Sequence, residues 1–126
     1  MNQIPDLKIL IVEDDSVSEI IISRAVKAIS KEILNVRSGF DAVETCRKYP
    51  DIDLILIDIQ LPFLDGYEAT RQIRQFNKDV IIIAQTAYAL TGDKEKAIDA
   101  GCNDYVSKPI NKDLLLSLIK NRFESK

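Results

Sequence analysis

Four apolar runs end in residues that can do chemistry. Glu13, Asp14 and Asp15 follow Ile9–Val12, and Asp58 follows Leu54–Ile57. Thr86 stands just past Val80–Ala84, and Lys108 and Pro109 come soon after Tyr105 and Val106. Carboxylates crowded together repel, and each raises the pKa of its neighbours. A divalent cation relieves that repulsion, and an ammonium group such as Lys108 offsets part of it. Mg²⁺ takes hard oxygen ligands and keeps several waters. Glu13, Asp14 and Asp58 can supply carboxylate contacts, and the backbone carbonyl of Gln60, two residues past Asp58, is a further candidate ligand. A carboxylate beside Mg²⁺ is a nucleophile that can take a phosphoryl group. The metal also neutralises charge on the group in transfer. The Thr86 hydroxyl can reach one phosphate oxygen and the Lys108 ammonium another, while Ala87 leaves the approach uncrowded.

What the chain lacks narrows the chemistry further. It has no histidine, which excludes Ser-His-Asp and Cys-His nucleophile systems and every His-ligated metal. Cys46 and Cys102 are its only cysteines, too few for a zinc site or a disulfide scaffold. Reduced thiols in a cytoplasmic protein are the simpler expectation. Seventeen basic against twenty acidic residues leave a net charge of −3, which argues against direct nucleic-acid binding. The longest apolar run, Val80–Ala84, falls far short of the roughly twenty residues of a membrane span. The opening Met1–Lys8 is polar and predicts no signal peptide.

These groups need a scaffold to bring them together. Ile9–Val12, Leu54–Ile57 and Val80–Ala84 are apolar on both faces, as strands buried in a parallel sheet are. Ile33, Leu34 and Val36 suggest a short second strand, and Tyr105 with Val106 a short last one. Between them lie helical spacings. Val17, Ile20, Ile21, Ala25, Ala28 and Ile29 form the first stripe, with Ser16 and Glu19 as a possible capping box. Ala42, Val43, Cys46 and Tyr49 form the second, stopped by Pro50. Ala69, Ile73 and Phe76 form the third, entered through Asp65 and Gly66. A fourth helix is expected from Thr91 as N-cap to Ala100, with Gly101 beyond it. The last begins at Asn111 and turns Leu115, Leu118, Ile119 and Phe123 inward, which leaves Leu116 exposed.

Five strand–helix units in strict alternation predict an α/β fold, a doubly wound five-stranded parallel sheet. The flavodoxin-like order 2-1-3-4-5 is the leading arrangement. Its 126 residues, with no linker or repeat, predict one domain over 1–126. In such folds ligands sit beyond the carboxyl ends of the strands. Each polar group has a plainer reading when taken singly. Glu13–Asp15 can be a helix cap and a solvated face, with Asp15 in the cap region. Asp58 can open a turn, Thr86 can be an ordinary strand residue, and Lys108 a surface lysine. The joint placement at four strand ends is what points to one site.

The chain resembles a response-regulator receiver domain of two-component signalling, from Lys8 to Phe123. The resemblance rests on Ile9-Leu10-Ile11-Val12-Glu13-Asp14-Asp15, Leu56-Ile57-Asp58-Ile59-Gln60-Leu61-Pro62, Asp65-Gly66, Thr86-Ala87, Gly101 and Tyr105-Val106-Ser107-Lys108-Pro109. It implies an aspartyl phosphoacceptor at Asp58 and an acidic Mg²⁺-binding pair at Glu13 and Asp14. It implies phosphate contacts from Thr86, the Ala87 backbone and Lys108, a switch aromatic at Tyr105, and a cis peptide between Lys108 and Pro109. The stretches Asp58–Arg74 and Ala84–Leu90 are similar to receivers attached to hybrid sensor histidine kinases. A histidine kinase or a histidine phosphotransfer protein is then the implied phosphodonor. The chain fits either a stand-alone receiver or a part of a larger kinase.

Two other function classes compete. A phosphatase of the haloacid-dehalogenase type would carry a second Asp two residues after its nucleophile, where this chain has Gln60. Any turnover is therefore expected to be slow. A flavin-binding flavodoxin needs a loop rich in Ser, Thr or Gly after strand one to hold phosphate. Glu13-Asp14-Asp15 stands there instead and repels phosphate unless a metal is present. The expected readout of phosphorylation is a movement of Thr86 that lets Tyr105 turn and repacks the face made by the fourth helix, the fifth strand and the fifth helix, with Tyr88, Ala89 and Leu90 contributing to the contact surface.

Overall fold

A computed structural model describes residues 6–87 and 92–124. The chain runs β1 (Leu7–Val12), α1 (Ser16–Val26), β2 (Ser30–Val36), α2 (Gly39–Lys48), β3 (Leu54–Asp58), α3 (Gly66–Arg74), β4 (Ile81–Thr86), α4 (Asp93–Ala100), β5 (Asp104–Ser107) and α5 (Lys112–Glu124). A single 3₁₀ turn, Lys27–Ile29, joins α1 to β2. The strands form one sheet in the order β2-β1-β3-β4-β5, and every neighbouring pair is parallel. This is the doubly wound α/β arrangement the alternation predicts.

Strand alternation divides the core into two layers. Leu10, Val12, Ile55, Ile57, Ile82 and Ala84 pack with Ala42, Val43 and Cys46 of α2, Ala69 and Ile73 of α3, and Ala97 of α4. Ile9, Ile11, Leu54, Leu56, Ile83 and Val106 face the other way, onto Ile22, Ala25 and Val26 of α1 and Leu115 and Ile119 of α5. Even Lys8 is buried in β1. Its ammonium escapes to Asp51 at 3.1 Å and lies 4.4 Å over the Tyr49 ring, so the stem is covered while the charge stays paired.

Several local expectations are corrected. The buried face of α1 is Ile22, Ala25 and Val26, continued by Ile29 of the 3₁₀ turn, whereas Val17, Ile20 and Ile21 are exposed. Ala28 is exposed as well. Two apolar stripes share this helix, and only the one facing α5 and the sheet is covered. The N-cap is Asp15, whose carboxylate accepts from the Ser18 amide at 2.9 Å, and Ser16 is the first helical residue. A carboxylate there also favours the positive end of the helix dipole. Helix α3 ends at Arg74, so Phe76 lies beyond it, partly exposed, with the Arg47 guanidinium 4.8 Å from its ring. On α5, Leu116 is half-buried against the core and Leu114 is the exposed leucine.

Other boundaries follow their local chemistry. Asp65 caps α3 through its bond from the Glu68 amide, and Asn111 accepts from the Leu114 amide ahead of α5. Gly101 closes α4 at φ +117°, a left-handed conformation suited to glycine. Gly92 occupies the α4 cap position with no side-chain bond. Thr91, expected to be that cap, lies outside the described residues, as do Tyr88, Ala89 and Leu90.

Candidate functional site

The parallel register builds the site. Val12 pairs with Ile57 and Asp58 with Gln85, so one step past β1 brings Glu13 opposite Asp58. The Glu13 amide donates to the Val36 carbonyl at 3.1 Å, which holds the first residue after β1 against β2. Glu13 is fully buried, Asp58 is 4% exposed, and Asp14 lies open to solvent. The carboxylates of Glu13, Asp14 and Asp58 offer oxygens that all lie within 4.8 Å of one another.

Lys108 enters this cluster from the far edge. Its Nζ lies 2.8 Å from Glu13 Oε1 and 3.2 Å from Asp58 Oδ2. The Lys108 amide donates to the Thr86 carbonyl at 2.7 Å, and the Lys108–Pro109 peptide is cis. The second oxygen of each buried carboxylate is also occupied. Asp58 Oδ1 accepts from the Gln60 amide at 3.0 Å, and Glu13 Oε2 from the Asp15 amide at 3.1 Å. The Gln60 backbone therefore lies at the site, while its side chain is exposed. Arg37, just past β2, donates to the Asp14 carbonyl.

These contacts set the charges. Burial pushes the Glu13 carboxyl above its usual range, the Lys108 and Asp15 hydrogen bonds pull against that, and the Asp58 charge adds to it. For Lys108, burial alone would lower the pKa. Its contacts with Glu13 and Asp58 outweigh this, so the ammonium is held charged.

Glycine makes the entry to α3 possible. A Cβ on Gly66 would come within 2.5 Å of the Asp58 carbonyl oxygen and 2.8 Å of Ile59 Cα. Only a bare backbone lets α3 start so close to the end of β3, where the Gly66 amide donates to the Ile59 carbonyl.

Other candidate residues sit around the cluster rather than in it. Thr86 is buried at the end of β4, and Ala87 is exposed just beyond. Alternation places Thr86 on the Ala84 side of the sheet, opposite to Asp58. Tyr105 pairs with Ala84 and packs half-buried on that same side. Its hydroxyl is buried without a hydrogen-bond partner among the described residues. Its pKa is raised, first by burial and then by the charge of Asp93.

Three features went unread in the sequence. Val17, Ile20 and Ile21 form an exposed apolar strip on α1. It adjoins an open groove of about 420 Å³ lined by Ser18, Ile21, Lys108, Pro109 and Ile110. Phe63 is 96% exposed at φ +69°, at the centre of a three-residue turn closed from the Leu64 amide to the Pro62 carbonyl. Such a conformation is strained for a non-glycine residue, and nothing in Pro62-Phe63-Leu64 announces it. Gln85 is the third, a buried polar residue in an apolar strand.

The family profile described as the response regulator receiver domain matches residues 9–120. The chain belongs to the response regulator receiver domain family. Receivers of several kinds are similar to it. Hybrid signal transduction histidine kinase I of Dictyostelium discoideum is 37% identical over 123 residues, 91% of this chain. The chain spans only 7% of that kinase's length. The receiver domain of the response regulator Ssk1 of Saccharomyces cerevisiae, solved with the histidine phosphotransfer protein Ypd1, superposes with a TM-score of 0.86. The match has 35% identity and covers 95% of this chain and 90% of the other. The receiver of sensor histidine kinase PA1611 from Pseudomonas aeruginosa PAO1 was solved with magnesium in its active-site cleft. It is 38% identical with a TM-score of 0.81, covering 92% of this chain and 96% of its own. The present receiver is thus a signalling module of the two-component type. None of the helices among its described residues is long and apolar enough to cross a membrane.

Proposed function

We propose that this receiver, as a single unit over residues 1–126, accepts a phosphoryl group from a phosphohistidine onto Asp58 in a two-component phosphorelay. The observation that carries this reading is the buried Asp58 carboxylate, held by the Gln60 amide and the Lys108 ammonium beside Glu13 and Asp14. An Asp58 oxygen forms a bond to phosphorus as the phosphorus–nitrogen bond of the donor breaks, and the electron pair returns to the imidazole. Two donors fix the carboxylate in one orientation, so little freedom is lost on reacting. Lys108, held charged by its carboxylate partners, is poised to pair with a phosphoryl oxygen. In this reading the Thr86 hydroxyl turns from the other face of β4 to take another phosphoryl oxygen, and the Ala87 backbone takes the last.

The site fits Mg²⁺ because it gathers hard oxygen donors, two of them buried, with a third open to water. Glu13, Asp14, Asp58 and the Gln60 carbonyl would hold it. When bound, the ion supplies charge neutralisation on the transferring group. Gln60 stands where a second acid would be needed for rapid hydrolysis, so the receiver works as a phosphoacceptor that loses its phosphate slowly, and not as a phosphatase.

Readout passes through α4, β5 and α5. A buried hydroxyl on Tyr105 with no partner among the described residues makes its present packing costly, which favours a second arrangement once Thr86 is drawn to the phosphate. The donor is a histidine phosphotransfer protein or a kinase core, in the same chain or separate. It docks on the exposed strip Val17, Ile20 and Ile21, which starts just beyond Asp14 and runs to the groove at Pro109. An apolar strip of this kind, free of charge and beside the acceptor, suits a protein contact. The buried free cysteines accord with a reducing compartment, and we place the receiver in the cytoplasm.

A small phosphodonor with Mg²⁺ should add one hydroxylamine-labile phosphoryl group to the wild type and none to Asp58→Asn. Full labelling of that variant would remove Asp58 from the role. Val17→Ser with Ile21→Ser should slow transfer from a phosphorylated histidine phosphotransfer protein about tenfold, with labelling by the small donor unchanged. Equal slowing of both would place the defect in the chemistry rather than in docking.

A further inference from the structure

Strand β4 reads Ile-Ile-Ile-Ala-Gln-Thr, apolar until Gln85. Gln85 is 2% exposed, and its Nε2 has no hydrogen-bond partner among the described residues. A buried amide donor without an acceptor is unfavourable and uncommon, so its placement calls for a cause.

The register shows what lies beside it. Gln85 pairs directly with Asp58 on β3 and with Val106 on β5. Leu56, Ile83 and Ile11, each two residues earlier, all belong to the layer beneath α1 and α5. Asp58, Gln85 and Glu13 therefore leave the sheet on that same face, in one row across β1, β3 and β4. Lys108 lies two residues beyond Val106, on β5's side of β4, yet its ammonium reaches Asp58 and Glu13. Its side chain must cross β4 to do so, over the row that holds Gln85.

Both Asp58 oxygens are occupied in this state, Oδ1 by the Gln60 amide and Oδ2 by Lys108. We propose that Gln85 is a positioning residue whose amide donor takes its partner only after phosphorylation. This rests on Asp58 being the phosphoacceptor. Once the phosphoryl group draws the Lys108 ammonium to its own oxygens, the acyl oxygen of Asp58 accepts from Gln85 Nε2.

That bond bears on loss of the phosphate. Water oxygen bonds to phosphorus as the phosphorus–oxygen bond to Asp58 breaks. The electron pair returns to the Asp58 carboxylate, and the water proton passes to solvent. Negative charge grows on the carboxylate, where an aimed N–H donor stabilises it. Gln85 thus shortens the life of the acyl phosphate.

The test uses the wild type and Gln85→Met, which keeps similar length and bulk without the amide. The Gln85 side-chain NH₂ resonance, identified by its disappearance in Gln85→Met, should shift and exchange more slowly with solvent when beryllofluoride and Mg²⁺ are added. The acyl phosphate of Gln85→Met should last roughly three- to tenfold longer, the worth of one hydrogen bond, with labelling still complete. A merely structural glutamine would move the melting temperature but not this lifetime. A Gln60 backbone amide that shifts while the Gln85 side chain stays still would overturn the proposal and leave Asp58 as acceptor. An unchanged lifetime in Gln85→Met would overturn it too. Labelling of Asp58→Asn would instead defeat the phosphoacceptor reading itself.

Discussion

Replacing Lys108 with methionine leaves Glu13 and Asp58 without the cation that now lies 2.8 and 3.2 Å away. Glu13 is fully buried, so water cannot take the place of that charge. Removing one partner of a buried ion pair costs about 3–5 kcal/mol. The loss also has a ceiling, because a stranded carboxylate takes up a proton. From an ordinary pKa of 4.5, protonation at pH 7 costs about 3.4 kcal/mol, at ~1.36 kcal/mol per unit. At pH 5 the same step costs only about 0.7 kcal/mol. Lys108 retains some contact with solvent, so we expect a loss of about 2–3 kcal/mol at pH 7 and under about 1 kcal/mol at pH 5.

The sign follows from linkage. Burial already holds the Glu13 pKa above 4.5, and losing the Lys108 hydrogen bond raises it further. Between the unfolded and folded pKa values the folded protein binds more protons, so stability falls as pH rises through that window. The window is wider in the variant. Urea unfolding of both proteins in EDTA, at pH 5, 6 and 7, should therefore show a stability gap that opens with pH. A gap of the same size at pH 5 and pH 7 would refute the charge argument and leave only the packing of the lysine stem.

Three further outcomes are expected. Gly66→Ala should lose about 1–3 kcal/mol in thermal or urea unfolding and slow labelling of Asp58, because its Cβ meets backbone at 2.5 and 2.8 Å; unchanged stability would mean the two segments part freely. Asp14→Ala should weaken Mg²⁺ binding in isothermal titration about tenfold or more while the fold stays intact, and wild-type affinity should fall as pH drops because the ligands must be deprotonated; an unaltered titration would remove Asp14 from the metal site. Beryllofluoride with Mg²⁺ should shift backbone amides from Tyr88 to Lys94 and at Tyr105 as well as near Asp58, and shifts confined to the surroundings of Asp58 would show that no switch reaches β5.

Much of the molecule was legible because its signals are local. Strands buried on both faces need continuous apolar runs, and β1, β3 and β4 carry them. Helix entries need particular cap chemistry, and Asp65 and Asn111 supply it. The polar residues at the strand ends stood out because the fold class gathers such ends in one crevice. The α1 stripe misled for a physical reason. Val17, Ile20 and Ile21 keep helical spacing as faithfully as Ile22, Ala25, Val26 and Ile29 do. Periodicity shows that an apolar face exists, but not which of two such faces meets the core.

The sequence by itself determined the alternation of elements, the parallel sheet they require, and the residue types delivered to each strand end. It also ruled out histidine chemistry by composition alone. Tertiary structure decided what depends on register and on partners distant in the chain. Strand pairing set Asp58 between Glu13 and Gln85 and put Thr86 on the opposite face. The reach of Lys108 across β4, and the packing of α1 against α5, join residues far apart in sequence. Those contacts form only when the sheet closes its order, and no local spacing records them.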